Sequence, residues 1–234
     1  MTPEVLAALE AAKAAKRPVV LLTRLSDGAQ HLWPDAEVAP PLAEAAAKAL
    51  EEDAAANLTL DAEAWFIHPH NPALRLIVVG AVHIAQALVP MALAAGYAVT
   101  VVDPRRAWAT AERFPGITLI HEWTDDAVAA LAPDARSAVV TLTHDPKLDD
   151  PALDAALKSD CFYIGALGSR RTHAKRVARL AEMGHAAEAI ARIHAPVGLA
   201  IEAVTAPEIA LSILAEVVAT RRGAALAQRA APAA

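Results

Sequence analysis

Cysteine is nearly absent from this chain: Cys161 is the only one in 234 residues. That excludes an intrachain disulfide framework and a multi-cysteine zinc site. Aromatic residues make up only 4% of the sequence, so alanine and branched aliphatics must fill most of any core. An excess of positive charge is missing too. With 21 Lys+Arg against 27 Asp+Glu the net charge is −6, and no global field draws the chain to nucleic acid or an anionic membrane. The sequence contains neither a P-loop nor a nucleophile elbow. Its first residues, MTPEVLAALEAAKAAKRP, are amphipathic and mixed in charge. They lack the apolar core of a signal peptide, so the expected location is cytoplasmic. Charge is also absent between Arg75 and Asp103, a run long enough to span a bilayer as one helix. Gly80, His83, Gln86, Pro90 and Gly96 interrupt that run, and its β-branched clusters at 77–79 and 99–102 favour strands. It reads as parallel strands buried on both faces, and no membrane association is expected.

What is present in that run is the layout of a dinucleotide-binding βαβ unit. LIVVG is an apolar strand closed by Gly80, an uncharged helix follows, and AVTVVD ends a second strand on Asp103, 23 residues after the glycine. One residue departs from the pattern. Val82 stands where the second glycine of G-x-G-x-x-G/A lets backbone approach a pyrophosphate, and its branched side chain crowds that place.

The chain divides by texture. Residues 1–72 read as a small α+β domain: a helix at 3–16, a strand at 19–24, a hairpin signal at Asp27-Gly28 and a strand at 30–33. A helix at 42–52 and strands at 57–60 and 64–68 complete it, and His68-Pro69-His70-Asn71-Pro72 reads as a linker. From residue 73 to 223 strands and helices alternate. After the first βαβ come a short helix at 108–113, a strand at 117–120 and a helix at 125–131. Next are a strand at 137–142, a helix at 151–159, a strand at 161–165, a basic helix from Ser169 and a last helix at 206–222. This order predicts an α/β fold, a Rossmann-like doubly wound parallel sheet, with residues 224–234 as a frayed tail. The last helix opens on a capping box, Thr205-x-x-Glu208, and its apolar circumference suggests burial against its own sheet or a second copy, a homodimer.

In such a sheet, ligands bind beyond the carboxyl ends of the strands, where strand order reverses. Four segments fall there. The first is the turn with Gly80, Ala81 and His83, facing Asp103 and Arg105 at the end of the next strand. The second is Thr143, His144 and Asp145, where a loop position suits function but Asp145 before Pro146 equally suits an Asx-type turn. The third runs from Gly165 through Gly168 and Ser169 to Arg170 and Arg171. Its glycines permit a tight turn, and Ser169 can cap a helix whose free N–H groups bind anions. Arg170, Arg171, His173, Lys175 and Arg176 crowd the first two turns of that helix, where each cation opposes the macrodipole by roughly a few tenths of a kcal/mol. A phosphorylated ligand or an acidic partner would offset them; a solvated basic face is the alternative. The fourth segment is His194-Ala195-Pro196-Val197-Gly198. His68 and His70 could share a metal, but no third ligand accompanies them and no metal site is expected. Cys161 reads as a packed core thiol.

The stretches VTVVDPR, TLTHDPKLDDPAL, YIGALGSRRTHAKR and HAPVGLAIEAVTAPEIALSILAEVVATRRG, in this order, resemble the XdhC/CoxI family, the xanthine dehydrogenase accessory factors. The resemblance covers residues 74–223. It implies a maturation chaperone rather than a catalyst, one that binds the molybdenum cofactor (molybdopterin or a nucleotide form of it). Such a protein protects the cofactor, supports its sulfuration by a cysteine desulfurase and inserts it into a molybdenum hydroxylase such as xanthine dehydrogenase. On that reading Arg170, Arg171 and Lys175, with the N–H groups of Gly168 and Ser169, hold the cofactor's phosphate. The Gly80 turn and Thr143 to Asp145 line its pterin. Members of the family usually carry an N-terminal domain with a glycine-rich segment ending in cysteine, whereas residues 1–72 here have one glycine, Gly28, and no cysteine. The alternative is an NAD(P)-dependent oxidoreductase, with Asp103 on a ribose 2′-OH or Arg105 and Arg106 on a 2′-phosphate. A third reading is a protein-interaction module with a vestigial Rossmann fold.

Overall fold

A computed structural model describes residues 1–224. The tail expected to fray, apart from Ala224, lies outside them. The chain divides into two compact units, the first Met1–Pro72 and the second beginning at Ala73.

The first unit is an antiparallel sheet with a helix on each face. It comprises α1 (Pro3–Ala14), β1 (Val19–Arg24), β2 (Gln30–Trp33), α2 (Pro40–Glu52), β3 (Ala56–Leu60) and β4 (Glu63–His70), in strand order β2-β1-β4-β3. Alternation along β1 sends Val19 and Leu21 to the cluster around Leu9 and Ala12 of α1, and Val20 and Leu22 to the cluster around Leu42, Ala46 and Ala49 of α2. One expectation fails here. Residues 68–70 are not linker but the end of β4, where His68, Pro69 and His70 pair with Leu21, Val20 and Val19. Ala64 turns its carbonyl to β1, so by alternation Pro69 turns its missing N–H to the other side. There β3 has already ended, at the pairing of Ala56 with Ile67, so no ladder bond is lost.

The second unit is a six-stranded, wholly parallel sheet in the order β10-β9-β8-β5-β6-β7. Its elements are β5 (Arg75–Val79), α3 (His83–Ala94), β6 (Ala98–Val102), β7 (Thr118–Ile120), α4 (Thr124–Leu131), β8 (Ser137–Thr141) and α5 (Pro146–Leu157). They continue with β9 (Tyr163–Ala166), α6 (Arg170–Glu182), α7 (Ala187–Ile190), β10 (Ile193–His194) and α8 (Ala206–Arg221). Numbered from β5, this is the doubly wound order, and it reverses between β5 and β8. Leu76 and Val78 face the layer of α3 and α8, while Ile77 and Val79 face α4, α5 and α6. Both faces are covered, which is why these strands read as unbroken apolar runs. Among the described residues no helix is long and apolar enough to cross a membrane.

Two expected elements change. Residues 108–113 form two single turns rather than a helix, closed by Ala109 N–H to the Arg105 carbonyl and Phe114 N–H to the Thr110 carbonyl. Pro115 then disfavours helical backbone at Phe114. The helix expected at 151 begins at Pro146, because Asp145 caps it and proline suits its first position. Pro151 is carried inside that helix. The short α7 and β10 have too few residues to show a period and were not expected.

Candidate functional site

In a doubly wound sheet the ligand crevice lies where strand order reverses, here between β5 and β8, and two turns come into close contact there. Gly80 has φ +110°, and a Cβ there would lie 2.6 Å from Thr143 Cγ2. Only glycine lets these turns meet. The next residue, Ala81, donates its N–H to Asp103 Oδ2 at 2.8 Å. Asp103 is wholly buried and engaged on both oxygens: Arg105 donates Nε to Oδ1 (2.9 Å), Nη2 to Oδ2 (2.7 Å) and its backbone N–H to Oδ1 (2.9 Å). Burial alone would raise the Asp103 carboxyl, but the bonds from Arg105 and Ala81 outweigh it and hold it below the ordinary carboxylate range. Asp103 is thus a latch beneath the first turn, and Arg105 is the group presented above it. Asp103, and at longer range Asp145 and Asp149 across the crevice, keep the Arg105 guanidinium charged. Val82 is half-buried against the α3–α8 layer, so part of its side chain is drawn away from the turn it was expected to crowd. His83 is exposed at the start of α3.

Across the crevice, Thr143 fastens its loop to α5. Its hydroxyl donates to Asp149 Oδ1 at 2.7 Å and its N–H points to the same oxygen at 3.3 Å. Asp145 Oδ1 accepts the Lys147 N–H at 3.0 Å, so Asp145 is the N-cap of α5. Between them His144 is exposed at φ +61°, a left-handed conformation uncommon for a residue with a Cβ.

The third segment opens α6, as its sequence suggests. Ser169 caps α6 by accepting the Thr172 N–H at 3.2 Å, and Gly168 at φ +134° packs against the Thr172 side chain. Arg170, Arg171 and Lys175 are exposed. Arg176 does not join them. It turns inward, 2% exposed, toward Asp149 and Asp150 of α5, and Arg179 also pairs with Asp150. Two of the cations on this helix are therefore offset within the protein. Gly165 serves packing, since a Cβ there would strike Val197 and the Tyr163 ring at 2.6 and 2.8 Å.

The fourth segment contains a cluster that sequence reading passed over. Glu216 of α8, 8% exposed, accepts the Tyr163 hydroxyl at 2.6 Å and the Gly198 N–H at 2.7 Å, with His194 Nδ1 at 3.5 Å. His194 stacks on Tyr163, ring centroids 4.6 Å apart. Burial pushes the Glu216 carboxyl up, yet its bonds to His194, Tyr163 and Gly198 hold it low. Only the spacing of a glutamate within an apolar helix signalled it. Beside this cluster, a cavity of about 300 Å³ is lined by Leu167, Val197, Leu199, Ile201, Ile209 and Ser212.

Other candidates lie apart. His68 and His70 belong to the first unit, and among the described residues no three His, Cys, Asp or Glu side chains are grouped to hold a metal ion. Cys161 is buried, its Sγ against the Ala156 carbonyl, and burial raises its thiol.

Residues 76–217 match the XdhC Rossmann domain family. The chain is similar to YqeB of Escherichia coli (strain K12), 38% identical over 161 residues that make up 68% of this chain and 29% of that protein. It is similar to the molybdenum cofactor insertion chaperone PaoD of the same organism, 37% identical over 64% of this chain and 41% of PaoD. A third relative, from Bacillus subtilis (strain 168), is named as a probable component of xanthine dehydrogenase; it is 32% identical over 69% of this chain and 47% of its own length. The chain thus spans less than half the length of each of these relatives. A crystal structure described as a xanthine dehydrogenase from Bacillus halodurans shares the fold at TM-score 0.71 and 24% identity, covering 98% of this chain and 66% of that one. With a parallel sheet in the doubly wound order and a family match across most of that sheet, this chain is a member of the XdhC family, and residues 76–217 are its Rossmann domain.

Proposed function

We propose that this chain is an accessory protein that binds the molybdenum cofactor at the β5–β8 crevice, keeps it from water and passes it to a xanthine dehydrogenase-type molybdoenzyme. The observation that carries this is the convergence of two close-packed turns, at Gly80 and Thr143, beside a capped helix start with exposed Arg170, Arg171 and Lys175. The cargo is a planar pterin ending in a phosphate or nucleotide. The helix start supplies N–H donors and cations for the phosphate, and the two turns supply walls for the ring. The names of PaoD and the Bacillus subtilis relative agree with that cargo and that recipient. The chain acts by holding rather than by catalysis. A cysteine desulfurase delivers sulfur directly to the bound cofactor, a reading supported by the burial and raised pKa of Cys161. The setting is cytoplasmic. A homodimer would cover Leu211 and Val218, which α8 leaves exposed after burying Ala210, Ile213, Leu214 and Val217. A nicotinamide dinucleotide fits poorly, because the acid that would take its ribose, Asp103, is consumed by Arg105 and Ala81.

Protein purified from a molybdenum-replete host should carry molybdenum and pterin in equal amounts, measured by metal analysis and by pterin fluorescence after oxidation. It should also restore activity to a cofactor-free molybdenum hydroxylase. Protein free of both that binds a nicotinamide dinucleotide at low micromolar concentration would overturn the proposal.

A further inference from the structure

Between the first turns of α5 and α6, just beneath the loops that end β8 and β9, several polar side chains are enclosed without the partners their chemistry calls for. Arg176 is 2% exposed and Asp149 1%. Arg176 donates Nη2 to the Leu167 carbonyl at 3.0 Å, but its Nε and Nη1 have no hydrogen-bond partner. The facing carboxylate oxygens, Asp149 Oδ2 at 3.7 Å and Asp150 Oδ1 at 3.9 Å, attract by charge and are too distant to accept. Asp149 Oδ1 is filled by Thr143, while Asp149 Oδ2 is unpartnered. Thr141 Oγ1 and His173 Nδ1 are buried and unpartnered as well. Thr141 ends β8 on the face of Val139, the one that α5 and α6 cover, and His173 lies one turn before Arg176.

Buried polar groups are nearly always paired in folded proteins, and a half-paired ion pair is among the more costly exceptions. Burial pushes the Asp149 carboxyl up and the Arg176 guanidinium down, as that cost requires. What is left open is a carboxylate oxygen beside two guanidinium donors. The complement of that set is a flat heterocycle whose edge carries adjacent N–H donors and a carbonyl. A water molecule could pair with these groups but would not discriminate between ring edges.

We propose that Asp149 and Arg176 read the 2-amino-4-oxo edge of a pterin ring, the carboxylate accepting from the amino and ring N–H groups and the guanidinium donating to the carbonyl. This rests on the reading of the crevice as a cofactor site and assigns the ring's orientation within it. The ring reaches these groups when the Thr143–Asp145 turn shifts off Asp149, exchanging the Thr143 bonds for the ring's while still walling its face; His144 in that turn is already held at φ +61°.

The test uses the full chain and a pair of free ligands, 6-carboxypterin and its 2-oxo analogue, 6-carboxylumazine. The analogue sets an oxygen where the carboxylate expects a donor, and sites that pair a buried polar group reject ligands that leave it unpaired. Calorimetry should show the pterin binding at least tenfold more tightly. Asp149→Asn, which can offer an amide N–H to the 2-oxo group, should shrink that ratio below threefold. Should this variant unfold in urea too easily to be assayed, the wild-type ratio decides alone. Equal affinity for the two ligands, or no binding of either by a chain that retains molybdenum and pterin, overturns this inference and leaves the cofactor reading standing. Loss of free pterin, cofactor and molybdenum binding together overturns both.

Discussion

Asp103 shows how much a single residue's role depends on loops remote in sequence. Spacing from Gly80 marks it as an acid at a strand end, and it lies directly after β6. Its employment is different from the one such an acid has in dinucleotide-binding sheets, because Ala81 and Arg105 take its oxygens. Which donors reach a carboxylate is set by turn geometry and rotamers, and neither is written in spacing. Arg176 gives the same lesson. Its neighbour Lys175 stays in solvent, while one step of about 100° around the helix carries Arg176 into the protein. Replacing Asp103 by Ala should lower stability by about 1–3 kcal/mol, chiefly by orphaning the Ala81 N–H, since Arg105 can swing into water. The wild type should show a matching pH dependence. The folded pKa of Asp103 lies below its unfolded value near 3.9, so its contribution is complete above that value. It fades as pH falls through the folded pKa. Urea unfolding between pH 7 and 3 should show the gap between wild type and Asp103→Ala narrowing only below about pH 4, by the part that depends on the ionised carboxylate. A gap that is constant across this range would mean the ion pair is not what holds the turn.

At the scale of elements, long periodic segments were legible and boundaries carrying proline were not. The β5–α3–β6 unit, the capped starts of α6 and α8 and the Asp27-Gly28 hairpin between β1 and β2 all stand where hydrophobic period and cap residues place them. The misplaced boundaries share one cause. Pro69 and Pro151 suggest breaks, yet Pro69 aims its missing donor where no strand follows, and Pro151 costs α5 only a local bond. Starting α5 at 151 also left Asp149 and Asp150 in a loop, which hid the partners of Arg176 and Arg179. Arg176 and Arg179 face Asp150, so the anion-binding claim for α6 rests on the exposed Arg170, Arg171 and Lys175. Arg170→Gln with Arg171→Gln keeps much of the side-chain length and removes two exposed charges. At about 1.5–3 kcal/mol for each charge-assisted bond, even one lost contact should weaken cofactor binding at least tenfold. The melting temperature should barely move, since exposed charges contribute little to stability. Should the double variant retain cofactor as wild type does but fail to activate the hydroxylase, the basic turn is a docking face for that enzyme.

On the scale of the whole molecule, the two units have separate cores and unequal shares of the chemistry. The apolar clusters of the first draw only on residues up to Ile67, and those of the second begin at Leu74. Every residue assigned to the crevice, from Gly80 to Lys175, belongs to the second. Its sheet is closed on both faces by its own helices, so its stability does not call for a covering layer from elsewhere. A chain beginning at Ala73 should therefore unfold in urea as one cooperative transition. Its m-value should be smaller than the full chain's total, in proportion to the surface it buries. It should also bind 6-carboxypterin within threefold of the full chain. Handover is a separate matter, because a unit that does not help to hold the cargo can still be needed to meet the recipient. If the shortened chain binds pterin normally but no longer activates a cofactor-free hydroxylase, the first unit is a docking module. If it folds cooperatively and loses pterin binding, residues 1–72 contribute to the site, and the crevice as drawn from the second unit is incomplete.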